Sequence, residues 1–228
     1  MQPAQLMGHN PSQFVPVDGI RLAADLALPK DAAGLILFVH GSGSSRLSPR
    51  NRRVASLLRE GGLGTVLMDL LTEDEEFADR DTGCYRFDIP LLARRVCAIA
   101  SWVEKQPDLQ LRSLGCFGAS TGAAAALIAA SRMPDTIHAV VSRGGRPDLA
   151  GIDSLRHVHA PSLFIVGSED HTVLRLNREA VAQLPRDSVS KIEIVEGAEH
   201  LFEGPGELER VAALARDWFL QYLKPRRA

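Results

Sequence analysis

The chain has 228 residues, 45% of them hydrophobic, with 26 Lys and Arg against 28 Asp and Glu for a formal net charge of −2. That length can bury a sizeable core in a single domain spanning 1–228, and the near-neutral balance speaks against the basic surface that nucleic acid or anionic lipid demands. Met1–Gln5 lacks the charged and apolar regions of a secretory signal and no apolar run approaches membrane-spanning length, so a cytoplasmic protein with no membrane partner is expected.

Taken in chain order, apolar runs of strand length alternate with longer stretches of helical spacing, the signature of a mostly parallel sheet covered by helices on both faces. Gln13–Val17 and Ile20–Leu28 flank Asp18-Gly19, a hairpin turn, so an antiparallel edge is expected there. About six core strands follow, at Leu35–Val39, Thr65–Leu70, Leu114–Phe117, Ala139–Val141, Leu163–Val166 and Lys191–Val195. Helices are predicted over Pro49–Glu60, Ile89–Glu104, Thr121–Arg132, Val173–Leu184 and Glu207–Leu223. The last spaces Leu208, Val211, Leu214, Ala215, Trp218 and Phe219 as one apolar face.

The stretch Thr72–Asp88, opening on Glu73-Asp74-Glu75-Glu76, reads as a solvated acidic surface loop, with a mobile rim over a site as the sharper alternative. The basic end Lys224–Arg227 serves solubility. Cys97 and Cys116 sit in apolar stretches and Cys84 in a polar one; with no C-x-x-C pair they read as reduced residues without chemistry.

One pattern carries chemistry. The apolar strand ending Gly115-Cys116-Phe117 runs into Gly118-Ala119-Ser120-Thr121-Gly122 and then an alanine-rich helix. A nucleophile on such a sharp strand-to-helix turn needs small neighbours, and the helix aims its positive end at the site. Ser120 is the candidate nucleophile. His40-Gly41-Ser42-Gly43 follows the strand Leu35–Val39 and can present an amide toward the elbow, so the N–H groups of Ser42 and Thr121 are the candidate oxyanion donors. His40 is expected to hold that loop by a hydrogen bond.

Asp170 follows the strand Leu163–Val166 and fits the acid that orients an imidazole, with Asp148 as a second candidate one strand earlier. His200, after the last strand, completes the order Ser, Asp, His. His138, His157 and His159 precede strands and so lie at the opposite sheet edge. The pair His157 and His159 lacks a third ligand at metal spacing, and no metal or cofactor is called for.

Strand, His40-Gly41-Ser42-Gly43, the Ser120 elbow, Asp170 and His200 in that order resemble the α/β-hydrolase superfamily. With no room for a cap domain between Val141 and Leu163, the chain is similar to the dienelactone-hydrolase-like branch, although that branch's dienelactone hydrolases use cysteine where this chain has Ser120. The resemblance implies an α/β-hydrolase fold and hydrolysis of small carboxylic esters, lactones or thioesters through an acyl-enzyme. A thioesterase, an acyltransferase or a silent hydrolase-fold binding protein would keep the same residues. The expected partner is a small ester substrate, and a homo-oligomer is left open. Arg143, after the strand Ala139–Val141, and Arg46, after the oxyanion loop, are candidate contacts for an anionic substrate group.

Overall fold

The computed structural model describes residues 13–109 and 113–223; Met1–Gln5, His9 and the basic end Lys224–Arg227 lie outside them. Eight strands form one sheet: β1 (Gln13–Val17), β2 (Ile20–Ala27), β3 (Leu35–Val39), β4 (Gly64–Met68), β5 (Leu114–Ala119), β6 (Ile137–Arg143), β7 (Ser162–Gly167) and β8 (Ser190–Val195). Their order is β1-β2-β4-β3-β5-β6-β7-β8. β1 and β2 pair antiparallel, as the Asp18-Gly19 turn predicts, and β2 pairs antiparallel with β4. Every other neighbour is parallel.

The inner strands are mostly apolar because both sheet faces are covered. β3, β4, β5 and β7 have no exposed residue. On one face α1 (Pro49–Glu60) contributes Val54, Ala55 and Leu58 to a core completed by a C-terminal helix with Val211, Ala215, Trp218 and Phe219. On the other, α4 (Thr121–Arg132) packs over β3, β5 and β6, and α3 (Ile89–Glu104) packs against α4 and β1. In α4 the residues Ala123–Ala126, Ala129 and Ala130 are all buried, and their small side chains let the helix lie close on the sheet.

The expectation of a loop over Thr72–Asp88 is corrected: Glu73–Thr82 is a helix, α2. Thr72 accepts the Glu75 N–H while the Glu75 carboxylate accepts the Thr72 N–H, a capping box that satisfies two orphan amides at once. The acidic run falls in the first turn, where negative charge is favoured by the helix dipole. Gly83 closes the helix in a left-handed conformation, φ 66°. Arg95 of α3, almost wholly buried, donates to both Glu75 carboxylate oxygens and to the Leu70 carbonyl, tying α2 to the body.

Two short pieces, a 3-10 turn at Pro147–Ala150 and α5 (Ile152–Leu155), fill the β6–β7 connection. The chain continues through α6 (His171–Val181) and α7 (Glu207–Tyr222). With β3 to β8 parallel, the loops after them meet at one sheet edge, and that edge carries the site. No helix among the described residues is long and apolar enough to cross a membrane.

Candidate active site

Ser120 sits between β5 and α4 at φ 49°, ψ −123°. A non-glycine residue held there costs about 1–3 kcal/mol and persists only where its surroundings enforce it. They do: its N–H donates to the Arg143 carbonyl at 3.2 Å, and its own carbonyl accepts from Ala123 and Arg146 at 3.1 and 3.0 Å. The flanking glycines are required by close approach. A Cβ on Gly118 would lie 2.5 Å from the Ala123 Cα, and one on Gly122 2.2 Å from the Val39 carbonyl oxygen.

The acid and the imidazole are brought together from β7 and β8. His200 Nδ1 lies 2.6 Å from Asp170 Oδ2, the geometry in which the ring N–H donates to the carboxylate. Their loops are laced by the Ser168 N–H donating to Val195 O and the Glu169 N–H to Ala198 O. Gly167 permits this, because a Cβ there would fall 2.1 Å from the Ala198 carbonyl oxygen. The His200 ring rests on Gly144, whose hypothetical Cβ would be 3.5 Å from both Cε1 and Nδ1. Residues 143 and 144 therefore touch Ser120 on one side and His200 on the other. Asp148 is engaged elsewhere, bonded twice by Arg146 at 2.8 and 2.7 Å.

On the opposite flank the Gly41 turn presses on the elbow: a Cβ on Gly41 would lie 3.0 Å from the Ser120 Cβ. As the first residue of α4, Thr121 has an N–H with no intrahelical acceptor. The Ser42 N–H is not unpaired, since it donates to Thr121 Oγ1 at 2.8 Å. His40 holds the loop as expected, with Nδ1 2.9 Å from the Gly41 carbonyl and Nε2 accepting the Leu70 N–H at 3.1 Å. Burial pushes its pKa below 6.5, against the Gly41 hydrogen bond and the charge of Asp69, which both raise it.

Arg46, the other candidate contact for an anionic substrate group, is engaged by protein carboxylates. Its guanidinium lies 2.5 Å from Asp69 and 3.6 Å from Asp25, and its backbone N–H donates to Asp69. Its charge is balanced internally and anchors the end of the loop after β3 to the end of β4. Asp69, which sequence reasoning passed over, could have been noticed as a carboxylate one residue beyond β4 at the carboxyl edge. Arg143 differs: it is 7% exposed, and its Nε and Nη1 have no hydrogen-bond partner. Burial first, then repulsion from Arg50, lowers its pKa to about 10, so it remains charged near neutrality.

A half-open cavity of about 210 Å³ lies beside Ser42, lined by His40, the loop Gly41–Ser44 and, from α2, Glu76, Asp79 and Arg80. α2 is thus a wall of that cavity. His157 and His159 are exposed, the former against the Asp153 carbonyl and the latter 4.0 Å from Asp187.

The sheet order and the elbow define an α/β-hydrolase fold, and the chain belongs to the α/β-hydrolase superfamily, in its dienelactone-hydrolase-like branch. A dienelactone hydrolase from Anabaena variabilis is 50% identical, with a TM-score of 0.90 over 93% of this chain and 97% of that one. Est1E from Butyrivibrio proteoclasticus (18% identity, TM-score 0.76, 92% and 98% covered) and an alpha-beta serine hydrolase homologue from Coxiella burnetii (20%, 0.75, 92% and 98%) share the fold. Two Mycobacterium tuberculosis proteins provisionally named phosphoribosyl transferases are 50% identical over 204 residues, 90% of this chain and 44% of theirs. The chain thus spans less than half the length of these curated relatives. No protein-family model matches it.

Proposed function

We propose that the protein is a serine hydrolase that cleaves small carboxylic esters, lactones or thioesters through an acyl-enzyme. The observation that carries this reading is the Asp170–His200 pair at the sheet edge where Ser120 is held at positive φ. In the proposed reaction, His200 Nε2 takes the Ser120 proton as Oγ attacks the ester carbonyl, and Asp170 holds the tautomer and stabilises the imidazolium. The Thr121 and Ser42 amides receive the oxyanion, the latter turning from Thr121 Oγ1 toward the stronger, charged acceptor. His200 then protonates the leaving alkoxide, and water activated by the same imidazole releases the acid and restores the Ser120 hydroxyl.

The cavity bounded by Ser42 and α2 is small and half-open, which suits short acyl groups. Phosphoribosyl transfer is the activity in the name of the longer M. tuberculosis relatives, of which this chain matches 44%; the Asp170–His200 pair beside the Ser120 turn favours acyl transfer for this part. A fluorophosphonate probe is expected to label the wild type and not Ser120→Ala. Turnover should be faster on nitrophenyl acetate or butyrate than on long-chain esters. An unlabelled wild type would instead mark a hydrolase-fold binding protein.

A further inference from the structure

β8 (Ser190–Val195) is the last strand of the sheet and, among the described residues, has a neighbouring strand on one side only. The ladder to β7 fixes which of its groups are used: the Ser162 N–H donates to Val189 O at 2.9 Å and the Ser168 N–H to Val195 O at 3.0 Å. Backbone groups alternate in direction along a strand, so residues 189, 191, 193 and 195 turn theirs to β7, while Ser190, Ile192 and Ile194 turn theirs outward. No proline or register shift interrupts the run. Val189 and Ile194 stand exposed on it, at 46% and 37%. An open edge of this kind is a template for a further strand.

The charges on β8 select that strand. An edge lysine ordinarily discourages pairing, but Lys191 is followed two residues on by Glu193, on the same face and 2.5 Å away. In an antiparallel pair of two copies related by a two-fold axis through Ile192, Lys191 of each copy faces Glu193 of the other, in the closely spaced pairs that lie between main-chain bonds. Ile192 then exchanges both main-chain bonds with its counterpart, Ser190 faces Ile194 and Val189 faces Val195. Centring the axis one residue earlier would set Lys191 against Lys191, and one residue later Glu193 against Glu193. Like charges directly opposite are unfavourable, so the charge pattern holds a single register.

We propose that the β8 edge pairs antiparallel with β8 of a second copy of this chain, joining the two eight-stranded sheets across a two-fold axis through Ile192. The pairing closes that edge in both copies, takes Val189 and Ile194 out of water and replaces the Lys191–Glu193 contact within each strand by two contacts between strands. It does not depend on the reaction assigned to Ser120.

Sedimentation velocity of the full chain over a concentration series tests this. Wild type is expected to reach a dimer. Lys191→Glu alone sets glutamate against glutamate at both charge pairs, and Glu193→Lys alone sets lysine against lysine, so each should weaken self-association by about 10-fold or more. Lys191→Glu combined with Glu193→Lys in one chain should restore the dimer. Mixing equal amounts of the two single variants should restore it as well, because every lysine then meets a glutamate. Should a single variant fail to fold, Lys191→Gln removes the attraction without the repulsion and is expected to weaken the dimer by a smaller factor. A wild type that stays monomeric at every concentration overturns the proposal and leaves the edge to a different partner. A dimer that both single variants form as readily as wild type also overturns it, since that dimer is built on another face.

Discussion

The Ser42 N–H donates to Thr121 Oγ1 at 2.8 Å, joining two loops 79 residues apart. In the proposed reaction the Thr121 hydroxyl holds the Ser42 amide in place until the charged oxyanion takes it over. Thr121→Val keeps the shape and removes the hydroxyl. Turnover of nitrophenyl acetate is expected to fall about 10- to 100-fold, mainly in kcat, whereas Thr121→Ser should stay near wild type. Equal kinetics for the two variants would show that the hydroxyl aims nothing.

The Asp170–His200 contact at 2.6 Å and the Arg146 clamp on Asp148 separate the two candidate acids. Ser120→Ala and His200→Ala should each cost several orders of magnitude in kcat, and Asp170→Asn up to about 10⁴-fold. Asp148→Asn should retain most activity. Steady-state kinetics on one short ester decides it, and the acid assignment is lost if Asp148→Asn is the inactive variant.

His40 predicts a pH dependence of stability. Its folded pKa lies below its ordinary value of 6.5, so the unfolded chain binds its proton first as pH falls. The neutral ring's contribution is therefore complete above pH 6.5 and lost as pH drops through that value toward the lowered one. Urea midpoints of the wild type should decline over this range. His40→Gln should be less stable at pH 8 and change less between pH 8 and 5. Parallel profiles would remove His40 as the cause.

Gly167 faces the Ala198 carbonyl at a distance no side chain tolerates. Gly167→Ala must force the acid and imidazole loops apart, with a stability loss of about 1–3 kcal/mol and an activity loss beyond it. Thermal melts with kinetics measured well below Tm separate the two effects. A variant that melts and turns over like wild type would mean that the loops yield at no cost.

Much of this architecture is legible along the chain because its signals are local. The Asp18-Gly19 hairpin, the strand-length apolar runs and the helix-spaced face of α7 depend on neighbours within a few residues. The elbow is local too, since Gly118 and Gly122 flank the residue they make room for. α2 was equally local, written in Thr72 and Glu75, but its acidic first turn reads as solvated surface when charge is weighed before capping.

What lay beyond the sequence is pairing between distant residues. Arg46 and Arg143 both follow strands at the same sheet edge, and nothing near either distinguishes them in sequence. In the fold Asp69 and Asp25 reach Arg46, while Nε and Nη1 of Arg143 are buried without a hydrogen-bond partner and Arg50 is a neighbouring charge that lowers its pKa. By itself, the sequence determined the order of elements and the strand-to-helix turn that holds Ser120, because backbone preferences and apolar periodicity act at short range. Tertiary structure alone decided which charges are balanced, that Asp170 rather than Asp148 meets His200, and that the Ser42 amide is held by a threonine. Those outcomes turn on separations of a few ångströms between segments that only the packed sheet brings together.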